Sequence, residues 1–213
     1  MSEGDFQLLE TLGVEEGRPR HLPAHLDRMA ASAAELGFPM DREALDAEAG
    51  RTASALVGTG RLRLLLWRDG AIEALALGFE RPEGPLRVAL ARAPIDSGHP
   101  QLRHKTTSRE HLTRLAVAGA DDTLLVNERG ELTEFTYGTV VLALGGRLLT
   151  PPLTCGLLPG VGRRLALESG RVSEAVLRPS DLDAAEHLWH LNSLRGWTPA
   201  VLGCDRDEPE SGA

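Results

Sequence analysis

The sequence predicts a mixed α+β or α/β fold built in two parts. Three features carry that prediction. Strand-like runs alternate with amphipathic helical stretches, a Pro- and Gly-bearing junction falls at Pro94 to Pro100, and a second series of short strands and helices follows it. Hydrophobic residues make up 42% of the chain and charged residues 25%, a composition that supplies a core and does not fit disorder.

Phe6 to Val14 reads as the first strand. Leu22 to Leu36 places Leu26, Met29, Ala33 and Leu36 at spacings of three and four, one apolar face of a helix, with Gly37 and Pro39 as its stop. A weaker helix is expected from Arg42 to Ala55. Arg61 to Trp67, Ala71 to Phe79 and Leu86 to Ala93 read as strands, separated by Arg68-Asp69-Gly70 and by Arg81-Pro82-Glu83-Gly84-Pro85. Together they predict a sheet with one or two helices on it, a small N-terminal domain over residues 1–95. Pro94 to Pro100 is the linker candidate, the junction being drawn at residues 96–104, and residues 105–213 form the larger C-terminal domain. There the pattern predicts a helix at Ser108 to Ala118 and strands at Thr123 to Asn127, Leu132 to Thr133, Val140 to Leu144 and Arg147 to Leu149. A further helix starts near Gly160, and Ser180 suits the N-cap of another. Strands at Val172 to Leu177, Leu188 to Asn192 and Pro199 to Leu202 complete this part, and Asp205 to Ala213 reads as a polar, frayed tail.

The formal net charge is -8, which argues against a general affinity for nucleic acid or anionic membranes while leaving room for a local basic pocket. Cys155 and Cys204 are the two cysteines and offer neither zinc-site spacing nor a disulfide framework, so no metal is expected. The N-terminus lacks a basic segment followed by an apolar run, and no apolar stretch has the length to span a bilayer. A soluble cytoplasmic protein is expected.

Four segments carry chemistry. Leu102 to Thr107 contains Lys105, the only lysine in the chain. Most lysines are solvated surface charges. Arginine stays protonated and forms no Schiff base, however, whereas a buried lysine loses its proton and does, so a chain that keeps one lysine among arginines invites a chemical reading. Gly156 to Arg163 is a Gly- and Pro-rich turn entering a helix, where free backbone N–H groups and the helix dipole suit a phosphate; taken alone, an ordinary loop is the commoner explanation. Glu131 to Thr139 offers carboxylates at a strand end, either solvated or able to pair with a protonated pyridine nitrogen. In His21 to Arg28, Arg28 either clamps a phosphate or covers the helix with its stem.

The order and spacing of these segments resemble the class IV aminotransferases, the fold type IV pyridoxal-phosphate enzymes, from about Phe6 to about Leu202. The family's H-L-x-R is matched at His25 to Arg28 and its lysine at Lys105 within His-Lys-Thr-Thr-Ser-Arg. N-E-x-G-x-x-T-E is matched at Asn127 to Glu134, T-P-P-x-x-x-G-x-L-P-G-x-x-R at Thr150 to Arg163, and N-S-x-R-G-W at Asn192 to Trp197. The resemblance implies two α/β domains with pyridoxal 5'-phosphate between them, in a homodimer acting on a small-molecule substrate. It implies that Lys105 is catalytic and holds the cofactor as a Schiff base, that Glu134 faces the pyridine nitrogen, and that Arg28, the amides of Val161 and Gly162, and Ser193 hold the phosphate. The chain departs from the family at Thr139, where Asn is frequent, which alters one cofactor-side hydrogen bond. An extra strand ahead of Phe6 is missing or very short, which would open one side of the pocket or leave it to the partner subunit.

Within the family, F-x-L-L-E-T-L, E-L-G-F, P-I-D-S, H-K-T-T, G-L-L-P-G and N-S-L-R-G-W look like the lyase domain sometimes fused to aminodeoxychorismate synthase. That likeness implies conversion of 4-amino-4-deoxychorismate to 4-aminobenzoate and pyruvate. The alternative is an aminotransferase acting on branched-chain or D-amino acids, since the four segments handle the cofactor and not the substrate. A cofactor-binding homologue without turnover is a third, more distant reading.

Overall fold

A computed structural model of the chain describes residues 6–81 and 83–203. The first unit is a four-stranded antiparallel sheet in the order β2-β1-β3-β4, formed by β1 (Leu8–Glu15), β2 (Arg18–Pro19), β3 (Thr59–Leu66) and β4 (Ile72–Gly78). Helices α1 (Leu22–Leu36) and α2 (Arg42–Ser54) cover one face of it. Strand alternation explains the arrangement. Leu8, Leu12 and Val14 of β1 and Leu62, Leu64 and Leu66 of β3 point to the helices and meet Leu26, Met29, Leu45 and Ala49. Each such buried Leu, Val or Met side chain contributes about 1.5–3 kcal/mol. Leu9, Thr11, Arg61, Arg63 and Leu77 fall on the other face. Helix α1 ends where expected, at Gly37, which takes φ 71° while Phe38 N–H returns to Ala33 O at 2.9 Å. Asp41 caps α2 through Ala44 N–H at 3.0 Å.

The second unit is an eight-stranded mixed sheet in the order β10-β9-β8-β11-β12-β5-β6-β7. Its strands are β5 (Leu86–Leu90), β6 (Asp122–Val126), β7 (Leu132–Phe135), β8 (Thr139–Leu144), β9 (Arg147–Thr150), β10 (Ser173–Glu174), β11 (His187–Asn192) and β12 (Gly196–Leu202). Its core gathers Leu86, Val88, Leu124, Leu132, Phe135, Val140 and Leu142.

Several expectations need correction. The strand at Leu86, placed in the first sheet from sequence, lies parallel between β12 and β6 of the second. Instead of a helix from Ser108 to Ala118 there is one turn, α3 (Glu110–Thr113). Arg109 is drawn out of helical geometry (φ −125°) with its guanidinium on Thr136 O, and Thr123 Oγ1 takes Val117 N–H at 2.9 Å. The strand expected at Val172 to Leu177 shortens to β10, because the chain leaves the sheet edge to bury Leu177 and to give its carbonyl to Leu132 N–H at 2.7 Å. Ser180 makes no capping bond to α5 (Asp181–Ala184). Asp181 instead turns its carboxylate back to Arg178 N–H at 2.7 Å. Helix α4 (Val161–Glu168) begins directly after Gly160. The expected tail lies outside the described residues. Among those described, no helix is long and apolar enough to cross a membrane.

Candidate active site

Lys105 sits on the segment that ties the two sheets together. Its carbonyl accepts from Leu9 N–H at 2.9 Å, and Thr107 N–H donates to Gln7 O at 3.0 Å, so the segment lies against the entry of β1. Just before it, His104 is buried and gripped by α1. Its Nδ1 is 3.0 Å from Ser32 Oγ, and its Nε2 is 3.5 Å from the Glu35 carboxylate. With the backbone held on both sides, the half-buried Lys105 side chain lines a cavity of about 410 Å³ between the sheets. It makes no hydrogen bond or salt bridge among the described residues. Burial, followed by the charges of Arg28 and Arg109, brings its pKa down to about 8.

Arg28, Glu134, Val161, Gly162 and Ser193 line the same cavity, so the geometry brings together all six residues singled out by the resemblance. Glu134, at the end of β7, is buried and accepts from Leu158 N–H at 3.1 Å. Burial raises its carboxyl to about 7, against the opposing influence of that amide and of Arg109 and Lys105. At α4 no side chain caps the helix, and the first intrahelical bond runs from Arg164 N–H to Gly160 O at 2.9 Å. The amides of Val161 and Gly162 therefore precede the helical ladder, at its positive end. Gly162 is pressed so closely onto β11 that a Cβ there would stand 2.9 Å from the Asn192 carbonyl carbon. Asn192 in turn fixes the next residues, with Oδ1 accepting from Leu194 and Arg195 N–H at 3.1 and 2.7 Å and Nδ2 donating to Tyr137 O at 3.0 Å. Thr139 also lines the cavity, and its hydroxyl faces the glycine loop, 3.2 Å from where a Gly160 Cβ would be.

Two participants have no role assigned from the sequence, although both lie within motifs quoted for the resemblance. Glu10, buried on the helix side of β1, receives Arg28 through Nε at 2.8 Å and Nη2 at 2.5 Å, and His25 Nδ1 approaches it at 2.6 Å. Burial alone would raise its pKa, but the Arg28 charge and the bonds from His25 and Arg28 hold it at about 2. The available signal was an acid at an inward position of an apolar strand, Leu8-Leu9-Glu10-Thr11-Leu12. Arg109 is the second. It lies over the Tyr137 ring at 5.2 Å and lines the cavity, four residues beyond Lys105.

Comparison with known proteins fits this geometry. Residues 7–202 match the family model described as amino-transferase class IV. A Schizosaccharomyces pombe protein provisionally named aminodeoxychorismate lyase is 31% identical, the match covering 93% of this chain and 90% of that one. A Mesorhizobium loti crystal structure, provisionally described as an amino-acid aminotransferase, is 40% identical with a TM-score of 0.87, covering 93% of this chain and all of that one. A Mycobacterium tuberculosis protein described as a hypothetical aminotransferase, solved in its PLP-bound form, is 26% identical with a TM-score of 0.75 over 94% of this chain and 81% of that one. The chain belongs to the class IV aminotransferases, a family of pyridoxal-phosphate-dependent enzymes.

Proposed function

We propose that the chain is a 4-amino-4-deoxychorismate lyase, forming 4-aminobenzoate and pyruvate, and that it works as a homodimer. The observation that supports its cofactor chemistry, common to lyase and aminotransferase, is the meeting of a deprotonatable lysine, a buried carboxylate and an uncapped helix end in one cavity. That donor set fits pyridoxal phosphate. Arg28, the Val161 and Gly162 amides and Ser193 would hold the phosphate, Glu134 would face the ring nitrogen, and Lys105 Nζ would attach the cofactor. When bound, the cofactor supplies an electron sink for bonds breaking beside the amino-bearing carbon. Lys105, whose pKa burial brings down to about 8, would take a proton from that carbon and return it. Glu134 holds a proton up to about pH 7 without the ligand, so a positively charged ring nitrogen beside it would favour its ionised form. The lyase assignment is supported by the name of the S. pombe relative.

The second reading is an aminotransferase, favoured by the name of the M. loti structure at 40% identity. The two separate cleanly. With aminodeoxychorismate, made in place from chorismate and glutamine by its synthase, the loaded protein should release 4-aminobenzoate and pyruvate in equal amounts. A panel of L- and D-amino acids should leave the bound cofactor's visible band intact. Rapid, complete conversion to the pyridoxamine form by one amino acid, with no 4-aminobenzoate formed, would overturn the lyase in favour of the aminotransferase.

A further inference from the structure

The turn between β7 and β8 is held more firmly than joining two strands requires. Each residue of Thr136-Tyr137-Gly138 is anchored. Thr136 N–H donates to Thr123 O at 3.0 Å, and Thr136 O accepts from Arg109 Nη2. Tyr137 N–H donates to Asp122 Oδ2 at 3.1 Å, and Tyr137 O accepts from Asn192 Nδ2 at 3.0 Å. Gly138 is pressed against His190, so that a Cβ there would overlap atoms of the imidazole ring.

Behind the turn lies a buried polar pair. His190 Nε2, on β11, bonds Asp122 Oδ2, on β6, at 3.0 Å, and both side chains are shielded from solvent. Asp122 Oδ1 accepts from Thr123 N–H at 2.7 Å, and the His190 ring is tilted on Phe135 with centroids 5.0 Å apart. Apolar side chains of similar volume would fill this space at least as stably. They could not accept an amide. The carboxylate oxygen that His190 fixes is the one that receives Tyr137 N–H.

The side chain presented by this framework is Tyr137. It lines the cavity and is 58% exposed. The chain has four Phe, three Trp and one Tyr, and among the described residues Tyr137 alone of these lines the cavity. Arg109 Cζ stands 5.2 Å from the ring centroid, a cation–π contact that steadies the ring. With its backbone held on both sides and only two side-chain torsions to fix, Tyr137 offers its ring at little cost in entropy. A flat π surface so held favours another flat π system over a saturated group of the same size.

We propose that Tyr137 is a substrate-contacting, specificity-determining residue whose ring stacks on the unsaturated ring of the substrate, and that Asp122 and His190 are positioning residues that set it through the Tyr137 amide. This deepens the lyase reading and rests on it, since an acyclic amino acid brings no ring to stack.

The test titrates the cofactor-loaded protein by calorimetry with benzoate and with cyclohexanecarboxylate, probes of equal charge and similar size that differ in flatness. Wild type should bind benzoate about three- to tenfold more tightly. Tyr137→Phe should keep that preference and Tyr137→Leu should erase it. Asp122→Ala should erase it too, with cofactor retention unchanged, whereas Asp122→Asn, whose amide oxygen still accepts Tyr137 N–H, should keep most of it. Both probes share one site, so a general loss of stability leaves their ratio in place. If Asp122→Ala does not fold, the double variant Asp122→Leu, His190→Leu, which strands no buried partner of the pair, takes its place. Equal binding of the two probes by the wild type, or a preference that survives Tyr137→Leu, overturns the inference. A preference lost in Tyr137→Leu but intact in Asp122→Ala or the double variant overturns the positioning role. The contact is read from binding and the lyase from turnover, so the two fail separately. A benzoate preference in a protein that forms no 4-aminobenzoate defeats the lyase reading, and 4-aminobenzoate formation without that preference defeats the contact alone.

Discussion

Arg28 spends Nε and one Nη2 hydrogen on Glu10 and one Nη1 hydrogen on Pro159 O, leaving two of its five N–H groups for the cavity. Its aim therefore depends on an acid whose inward position on β1 marks it as buried without naming its partner. The family resemblance pointed to Arg28, and a lone lysine among arginines pointed to Lys105. The Glu10 contact joins residues eighteen apart on a strand and a helix, and only packing reveals it. Removing the acid should leave Arg28 fixed by little and its charge largely buried. Glu10→Ala should destabilise the fold by about 3–5 kcal/mol, as breaking one side of a buried ion pair does, measured by urea unfolding at pH 7. It should also weaken cofactor retention. The pH dependence has a definite sign. Glu10 is held at about 2, below its ordinary 4.5, so its contribution is complete above pH 4.5 and disappears as pH falls through about 2. Wild type should therefore lose stability over that acid range more steeply than Glu10→Ala. Parallel curves would mean that the pair adds nothing.

At the scale of elements, legibility follows how local the deciding interactions are. Helix α1 was readable because its apolar stripe and its Gly37 stop lie within one stretch of sequence. Helix α3 was not, because Thr136 O, in the turn after β7, and Thr123 Oγ1, on β6, decide where it begins and ends. The sheet that β5 joins was equally hidden, since an apolar run does not name its partners and those partners are β6 and β12. The start of α4 was readable from Gly160, but the reason for Gly162 was not, since it lies in the backbone of β11. That contact gives a prediction. Gly162→Ala places a methyl 2.9 Å from the Asn192 carbonyl carbon, and backbone on both sides cannot yield cheaply. Overpacking of this kind costs about 1–3 kcal/mol, and here relief comes by lifting α4 away from Asn192 and Ser193. Cofactor affinity should fall by at least about tenfold while the thermal midpoint falls by only a few degrees. Unchanged affinity in equilibrium dialysis would remove the α4 end from the site.

For the molecule as a whole, the sheets give the cavity its two walls, and the segment carrying Lys105 bridges them. The helix-free face of the first sheet supplies Thr11, Arg61 and Arg63, while strand ends and α4 of the second supply Glu134, Gly162 and Ser193. Motif order made the second wall legible before any fold was drawn. The first wall was not, because Arg61 and Arg63 read only as the polar half of an alternating strand until the face they share was known to border Lys105. The central claim is that this lysine, in this cavity, attaches the cofactor. Borohydride reduction of the protein loaded with pyridoxal phosphate, followed by peptide mass mapping, tests it directly. One modified peptide is expected, the one containing Lys105, and Lys105→Ala should yield none while remaining folded. Modification elsewhere in the wild type, or no visible absorbance with excess cofactor, would contradict the account.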